Sequence, residues 1–176
     1  MPLTLTIHNR QRARGLETRR LRQLVHCLLG ELLGVLEADL GLILVSSPEM
    51  TRANEQFLGH EGSTDVITFD HSPGDRDLDL AVASRPKRPQ AKLRDLHGEL
   101  FVCIDEALIQ GRRFHTTWQT ELVRYVIHGV LHLRGFDDQH AGARRVMKRE
   151  ENRLLRKLAR RFDFQQLARP RQNRAA

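Results

Sequence analysis

The 176 residues carry 40% hydrophobic and 29% charged side chains, a balance typical of one soluble globular domain rather than of a disordered or membrane protein. No apolar run approaches the roughly 18 residues that span a bilayer, and the N-terminus lacks the basic-then-apolar order of a signal peptide, so we expect a cytoplasmic protein. Cys27 and Cys103 lack CxxC spacing and lie in apolar segments, which predicts buried free thiols.

The net charge of +7 is concentrated at the two ends of the chain. Residues 10–22 carry a balance of +5 and residues 144–174 a balance of +9, so the remainder is acidic at −7. This pattern indicates a polyanionic partner, nucleic acid before membrane, because neither end carries a large apolar face. The alternative is a solvated helix face and a frayed tail. We predict one domain over residues 1–160 and a basic C-terminal tail over residues 161–176.

The first part of the chain alternates between strand and helix patterns. Residues 3–7 alternate apolar side chains with threonine, which predicts a strand, and the apolar residues between 16 and 36 follow the spacing of one long amphipathic helix. Residues 40–45 are an apolar run of strand length. Ser47, followed by Pro-Glu, is an N-cap signal for a short helix that Gly59 would end.

Val66, Ile67 and Phe69 stand between two aspartates and predict a third strand. The following residues 71–96 contain HSPGDRDLD and ASRPKRPQAK, which predict a long loop. A loop of this length is either a flap or exposed basic loop, or an insertion without a role. Both interpretations remain open.

A fourth strand is predicted around residue 100. Leu100, Val102 and Ile104 share one of its faces, and residues 106–114 then read as a short helix that ends near Gly111.

Residues 121–140, ELVRYVIHGVLHLRGFDDQH, are the stretch around which the chain is organised. Their apolar residues recur at spacings of four, four and three, which predicts a buried helix. Thr116 or Thr117 can cap its start, and Gly135 can end it.

A last helix rich in Arg and Lys follows the central helix, and Met147 fills space in the core on its apolar face. Four strands and about five to six helices predict an α+β domain with a mixed sheet and this central helix packed against it.

Two histidines lie four residues apart on the central helix. His128 and His132 therefore stack on one face, with ring nitrogens close enough to share one ion. Asp138 or His140 can supply a third ligand from the loop after Gly135. Three protein ligands and an open fourth position are the arrangement of catalytic zinc sites. The alternative is that the two histidines bind no metal and make ordinary contacts within the protein on a half-buried helix.

Three sequence blocks stand out: NEQFLGHEGSTDVITFD at residues 54–70, GELFVCIDEAL at 98–108 and HGVLHLRGFDDQH at 128–140. In order and approximate spacing they resemble the blocks of the bacterial rRNA maturation factor YbeY family. The last is the most specific, because the family pattern reads HGxLHLxGYD followed at once by His. The resemblance covers most of residues 40–158. It implies a zincin-like α+β fold and a zinc-dependent, single-strand-specific endoribonuclease that acts in small-subunit rRNA 3′ maturation and ribosome quality control.

The resemblance also implies ligands and partners. It assigns His128 and His132 as ligands of one Zn²⁺ ion, and its third position falls on Asp138, where the family usually has His. We favour Asp138 over His140 because Asp138 keeps the family's spacing. The implied partners are single-stranded rRNA of the pre-ribosomal small subunit, with a small-subunit ribosomal protein and a ribosome-associated GTPase as further candidates.

The sequence also departs from the family pattern at the position thought to contact the scissile phosphate. The family commonly has Arg just before the glycine of the block at residues 54–70, followed by Lys, and that Arg is thought to contact the scissile phosphate. Here these positions are Leu58 and His60. Transition-state charge must then be met by zinc, by His60 or by another cation such as Arg134. Arg144 and Arg145 are further candidates for RNA contacts.

Two other functions compete with RNA cleavage. Zinc proteases share the HxxxH pattern, but Gly129 stands where they carry a glutamate as general base, and only Glu99 or Asp65 could replace it from a strand. A non-catalytic ribosome-assembly factor, with structural or vestigial zinc, is motivated by Leu58 and Asp138. Within the nuclease hypothesis, hydroxide attack on phosphorus and activation of the ribose 2′-OH both remain open.

Overall fold

The computed structural model describes residues 3–72 and 95–169. The strands are β1 (Leu3–Asn9), β2 (Glu37–Val45), β3 (Val66–Asp70) and β4 (Asp95–Cys103). The α-helices are α1 (Thr18–His26), α2 (Ser47–Ala53), α3 (Ile104–Arg113), α4 (Trp118–Leu133) and α5 (Ala141–Ala159). Short π-helical segments extend α1 over Cys27–Leu32 and α2 over Asn54–Leu58, and a 3-10 helix, Phe164–Leu167, follows α5.

The four strands form one mixed sheet in the order β1-β2-β4-β3. β1 and β4 both pair with β2 in parallel, and β3 pairs with β4 antiparallel. β2 therefore lies inside the sheet with most of its side chains buried, which explains the apolar run at residues 40–45. The mixed sheet and the five α-helices of residues 3–72 and 95–169 confirm the predicted α+β class.

The central helix α4 packs closely on β3 and β4, and two glycines make this possible. A Cβ at Gly98 of β4 would overlap the Phe69 carbonyl oxygen and lie 2.8 Å from Leu133 Cδ2. A Cβ at Gly129 of α4 would lie 2.7 Å from Leu100 Cδ2. Both positions therefore need glycine for the close approach of helix and sheet.

The predicted long first helix is wrong at its C-terminal end. Regular α-helix stops at His26, and the π-helical segment ends at Leu32. Gly34 then adopts a φ of 63°, which turns the chain out of the helix. Val35 is buried beyond this turn, whereas Leu36 is exposed, so the apolar spacing that extended the prediction belongs to a turn and to the approach to β2.

Three other boundaries differ from the prediction. Ser46, not Ser47, is the N-cap of α2, because Ser46 has extended backbone angles and the helix begins at Ser47. The Ser47 N–H donates to the Asp105 carboxylate at 2.6 Å. Ile104 begins α3 rather than ending β4. α3 also runs past Gly111, where a Cβ would lie only 3.1 Å from the backbone that enters α4, so this glycine serves packing rather than helix termination.

Packed structure continues beyond residue 160. Phe164 and Leu167 are buried, and the backbone of Ala168 bridges Leu16. The predicted division at residue 160 stays a prediction, but the segment assigned to the tail begins inside this packed region, and residues 170–176 lie outside the described residues.

Residues 73–94, which make up most of the predicted loop 71–96, also lie outside the described residues, and the last two residues of that loop belong to β4. Cys27 and Cys103 are buried and free, as predicted. Among the described helices, none is long and apolar enough to cross a membrane.

We predict that Gly98→Ala lowers the melting temperature by at least about 2 °C, because overpacking costs about 1–3 kcal/mol and each kcal/mol shifts a domain of this size by roughly 2–4 °C. Thermal unfolding followed by circular dichroism measures the shift. Gly142→Ala is the matched control, since Gly142 lies on α5 with open space around it, and alanine there should slightly stabilise the helix. Equal melting of Gly98→Ala and wild type would contradict the packing argument.

Candidate metal centre

Helix α4 positions the two histidines, and both of its ends behave as the sequence indicates. Thr117 is the N-cap, and its Oγ1 accepts a hydrogen bond from the Thr120 N–H at 3.2 Å. The helix ends at Leu133, and Gly135 adopts a φ of 84° that turns the chain back towards the helix. The histidines thus lie in the last two turns, next to the loop that carries the third candidate ligand.

Three donor atoms converge beside α4. The Nε2 atoms of His128 and His132 lie 3.1 Å apart. Asp138 Oδ2 lies 3.6 Å from His128 Nε2 and 3.7 Å from His132 Nε2. Atoms that share one tetrahedral zinc ion at about 2.0–2.2 Å are separated by roughly 3.3–3.5 Å. The triangle is therefore close to the size that one ion requires.

The other ring nitrogens are held by hydrogen bonds away from this triangle. His132 Nδ1 lies 3.1 Å from the carbonyl oxygen of Phe136, and His128 Nδ1 lies 3.1 Å from Glu151 Oε2. Because a carbonyl and a carboxylate only accept, each Nδ1 carries the proton and each Nε2 presents a lone pair to the triangle. Facing lone pairs beside a carboxylate repel one another unless a proton or a cation lies between them. This donor set therefore fits a metal ion.

Glu151 is the site residue that sequence reasoning missed. Its side chain is only 3% exposed, yet it receives charged partners: Arg124 Nη1 at 2.7 Å and Lys148 Nζ at 2.8 Å, in addition to His128. A signal was present in the sequence, because Glu151 lies four residues after Met147 on the apolar stripe of α5. A carboxylate on a buried stripe needs a partner, and one of its partners here is His128, a candidate metal ligand.

The surroundings shift the pKa values of the two histidines in opposite directions. Burial would raise the pKa of Glu151, but hydrogen bonds from His128, Lys148 and Arg124 lower it to about 2. Burial would likewise lower the pKa of His128, yet Glu151 and the nearby charges of Asp65 and Asp138 raise it above its usual value. For His132, burial and the charge of His128 lower the pKa.

The loop that carries Asp138 is held by α5. Arg144 Nε donates to the Asp138 carbonyl at 3.0 Å, and its Nη2 reaches the Gln139 carbonyl. Arg145 Nε donates to the Ala141 carbonyl at 3.3 Å. His140, the alternative third ligand, is exposed at the N-cap of α5 and does not belong to the cluster of three that could hold an ion among the described residues.

Arg134, His60 and the Leu58 position, which the sequence analysis considered for the phosphate, lie in three different environments. Arg134 Nη1 donates to the Leu33 carbonyl at 2.7 Å, its Nε is buried without a partner among residues 3–72 and 95–169, and burial lowers its pKa. Leu58 is half-buried and packs against a small apolar cluster under β3. The His60 side chain is exposed, and the backbone N–H of His60 donates to the Asn54 carbonyl. The Arg134 side chain thus links the end of α4 to the turn at Leu33.

The two carboxylates considered as substitute bases differ in their surroundings. Asp65 Oδ1 accepts hydrogen bonds from the Val66 N–H at 2.8 Å and the Thr64 hydroxyl at 3.1 Å, so it organises the turn before β3 while its charge acts on His128. Glu99 instead pairs with His71 at 3.3 Å in an exposed position.

Comparisons with known proteins agree with the geometry. The sequence model of the family described as "Endoribonuclease YbeY" matches residues 6–159. Endoribonuclease YbeY of Chlorobium phaeovibrioides is 34% identical over 154 residues, which cover 88% of this chain and 90% of that protein. Endoribonuclease YbeY of Parabacteroides distasonis is 32% identical over 127 residues, covering 72% and 76% of the two chains.

A solved structure supports the fold. The solution structure of TM1509 from Thermotoga maritima is similar with a TM-score of 0.57 and 22% identity, covering 90% of this chain and 91% of that one. The family match over most of the chain and the identity to curated relatives confirm the resemblance carried by the three sequence blocks: the chain belongs to the YbeY endoribonuclease family.

Proposed function

We propose that this member of the family cleaves single-stranded RNA with the help of one zinc ion held by His128, His132 and Asp138. The observation that carries the proposal is the convergence of two Nε2 lone pairs and one carboxylate oxygen, with both Nδ1 protons committed elsewhere. The three side chains are 23%, 29% and 39% exposed, so an RNA strand can approach them from solvent. Nitrogen and carboxylate ligands without cysteine also match catalytic rather than structural zinc.

Each surrounding residue has a role in this proposal. Glu151 orients the ring of His128, the Phe136 carbonyl orients His132, and Arg144 holds the backbone at Asp138. A bound zinc ion supplies Lewis acidity, which lowers the pKa of a water molecule to roughly 7.

We further propose that the substrate is rRNA of the pre-ribosomal small subunit, in 3′ maturation and ribosome quality control in the cytoplasm. A small-subunit ribosomal protein and a ribosome-associated GTPase are the proposed partners. Family membership and the net charge of +7 support an RNA-bound role. Arg144 and Arg145, at the start of α5, and His60 and Arg134 remain the proposed contacts to the RNA backbone.

Packing argues against the protease hypothesis. A zinc protease needs a glutamate directly after the first histidine of the pair. That position is Gly129, where even a Cβ would lie 2.7 Å from the fully buried Leu100. A glutamate there would therefore have to displace the buried Leu100 side chain or move α4 away from the sheet.

A non-catalytic assembly factor is the second candidate function. The observation that favours it is Leu58, an apolar and half-buried side chain at the position where the family commonly places a phosphate-contacting arginine. Under this alternative the protein binds pre-ribosomal RNA but does not cleave single-stranded RNA at any zinc loading.

We predict that the purified protein binds one zinc ion, and that His132→Ala and Asp138→Ala each abolish stoichiometric binding, whereas His140→Ala retains it. Metal content after dialysis and chelator competition measure the difference. Because the pKa of His128 is raised, protons compete with zinc at a higher pH than they would at an ordinary histidine, so affinity should fall on acidification. Zinc loss in His140→Ala but not in Asp138→Ala would place the third ligand on His140.

We predict that Glu151→Gln weakens zinc binding roughly 10–100-fold, since a neutral amide no longer anchors the His128 N–H as a charged acceptor. The Co²⁺-substituted protein should show a changed visible spectrum. Glu150→Gln is the control, because the neighbouring Glu150 pairs with Arg153 rather than with a ligand, and it should bind zinc as wild type does. Equal zinc affinities for both variants would show that Glu151 does not orient the site.

We predict that the zinc-loaded wild-type protein cleaves a single-stranded RNA oligonucleotide and that EDTA stops this cleavage. Leu58→Arg should raise the cleavage rate at least about tenfold, because it restores a cation for the phosphate. Leu58→Met is the size-matched control and should cleave at the wild-type rate. Initial rates on a fluorescent substrate provide the measurement. No cleavage by wild type or by Leu58→Arg at full zinc occupancy would favour the assembly factor.

A further inference from the structure

The two basic segments of the sequence lie side by side in the fold. The backbone of Leu16, just before α1, bridges Ala168, and the Arg169 N–H donates to the Gly15 carbonyl at 3.0 Å. The 3-10 helix after α5 also packs against α1. Positive charge from both ends of the chain is therefore collected on one surface.

Two adjoining cavities of about 460 and 320 Å³ lie beside the turn between α5 and the 3-10 helix, and the smaller one also borders α1. Both are lined by Arg161, Phe162 and Asp163; Arg160 contributes to the first and Arg20 to the second. We call these five residues and the two cavities the basic groove.

The charge of the basic groove is only partly neutralised. Arg161 pairs with Glu31, and Asp163 offsets one further charge while it caps the 3-10 helix. The side chains of Arg20 and Arg160 are exposed and make no hydrogen bond or ion pair with any residue in the described ranges. Two guanidinium groups are therefore free to bind phosphate.

Phe162 gives the basic groove a second property. It is partly buried, which fixes its position, and it lies in the wall of both cavities. A positively charged groove that presents an aromatic ring is the combination used by sites for single-stranded nucleic acid, where the ring stacks on a base. A membrane surface would instead require a broad apolar face beside the arginines.

The basic groove is separate from the metal centre but shares helix α4 with it. Thr120, in the first turn of α4, lines the larger cavity, whereas His128 and His132 follow eight and twelve residues later. At 1.5 Å per residue these positions are roughly 12–18 Å apart along the helix axis. A short single strand can therefore reach both.

We propose that the basic groove is a second binding site for single-stranded RNA, which holds the strand on one side of the position where it is cleaved. The inference rests on the RNA substrate of the proposed function but not on its metal ion. Binding is therefore measured on the full-length protein in EDTA, so that RNA affinity is separated from zinc binding and cleavage.

Fluorescence anisotropy with a labelled single-stranded RNA, repeated over a series of KCl concentrations, tests the site. Arg20→Gln combined with Arg160→Gln should reduce the slope of log affinity against log salt by about 1.4, because each lost phosphate contact to a single strand removes about 0.7. Phe162→Leu should weaken binding roughly tenfold with little change in slope, and Phe162→Tyr, which can still stack, should bind as wild type does.

Arg112→Gln combined with Arg113→Gln on α3 is the control, because it removes the same charge from an exposed helix elsewhere. The inference is wrong if this control lowers the slope as much, or if Phe162→Leu binds RNA like wild type. It is also wrong if the Arg20 and Arg160 changes weaken binding to anionic lipid vesicles but leave RNA binding intact. If the wild-type protein binds RNA as expected but binds no zinc or does not cleave, the metal proposal is contradicted and the basic-groove proposal is not.

Discussion

The buried carboxylate of Glu151 is the interaction on which the rest of the site depends. It accepts hydrogen bonds from Arg124 and His128 of α4 and from Lys148 of α5, and so ties the two helices together. An ionised group buried to this extent is tolerated only with such partners, because an unpaired buried charge would cost several kcal/mol. The same contacts fix which nitrogen of His128 faces the candidate metal position. Stability and site geometry therefore depend on one side chain.

The second constraint is the close approach of α4 to the sheet. Gly98 and Gly129 remove the side chains that would separate the helix from β3 and β4, and this sets how deep the two histidines sit. The same packing distinguishes this centre from other HxxxH sites, because it leaves no space for a glutamate between the histidines and the sheet. A glutamate base directly after the first histidine, as zinc proteases carry it, is thus opposed by packing at Gly129 as well as absent from the sequence.

Charge is divided between two regions of the molecule. The candidate metal centre combines histidines with acidic residues, which suits a cation. The basic groove instead carries the exposed Arg20 and Arg160, which suits a polyanion. These regions lie at opposite ends of α4. Under the proposed function, phosphate contacts at the basic groove lie far from the cleaved bond and would not compete with the metal ion for its ligands.

The sequence by itself determined the features that depend on local spacing. The four strands, the central helix with its Thr117 cap and Gly135 end, and the shared face of His128 and His132 all follow from periodicity and turn residues. Tertiary structure decided the rest: that Asp105 satisfies the start of α2, that Arg134 reaches the Leu33 carbonyl, and that Asp138 rather than His140 lies beside the histidines. It also brought Glu151 to His128 and Arg20 to Arg161. Periodicity records which face of an element is apolar but not which element covers that face, so contacts between distant segments appear only once the elements have packed.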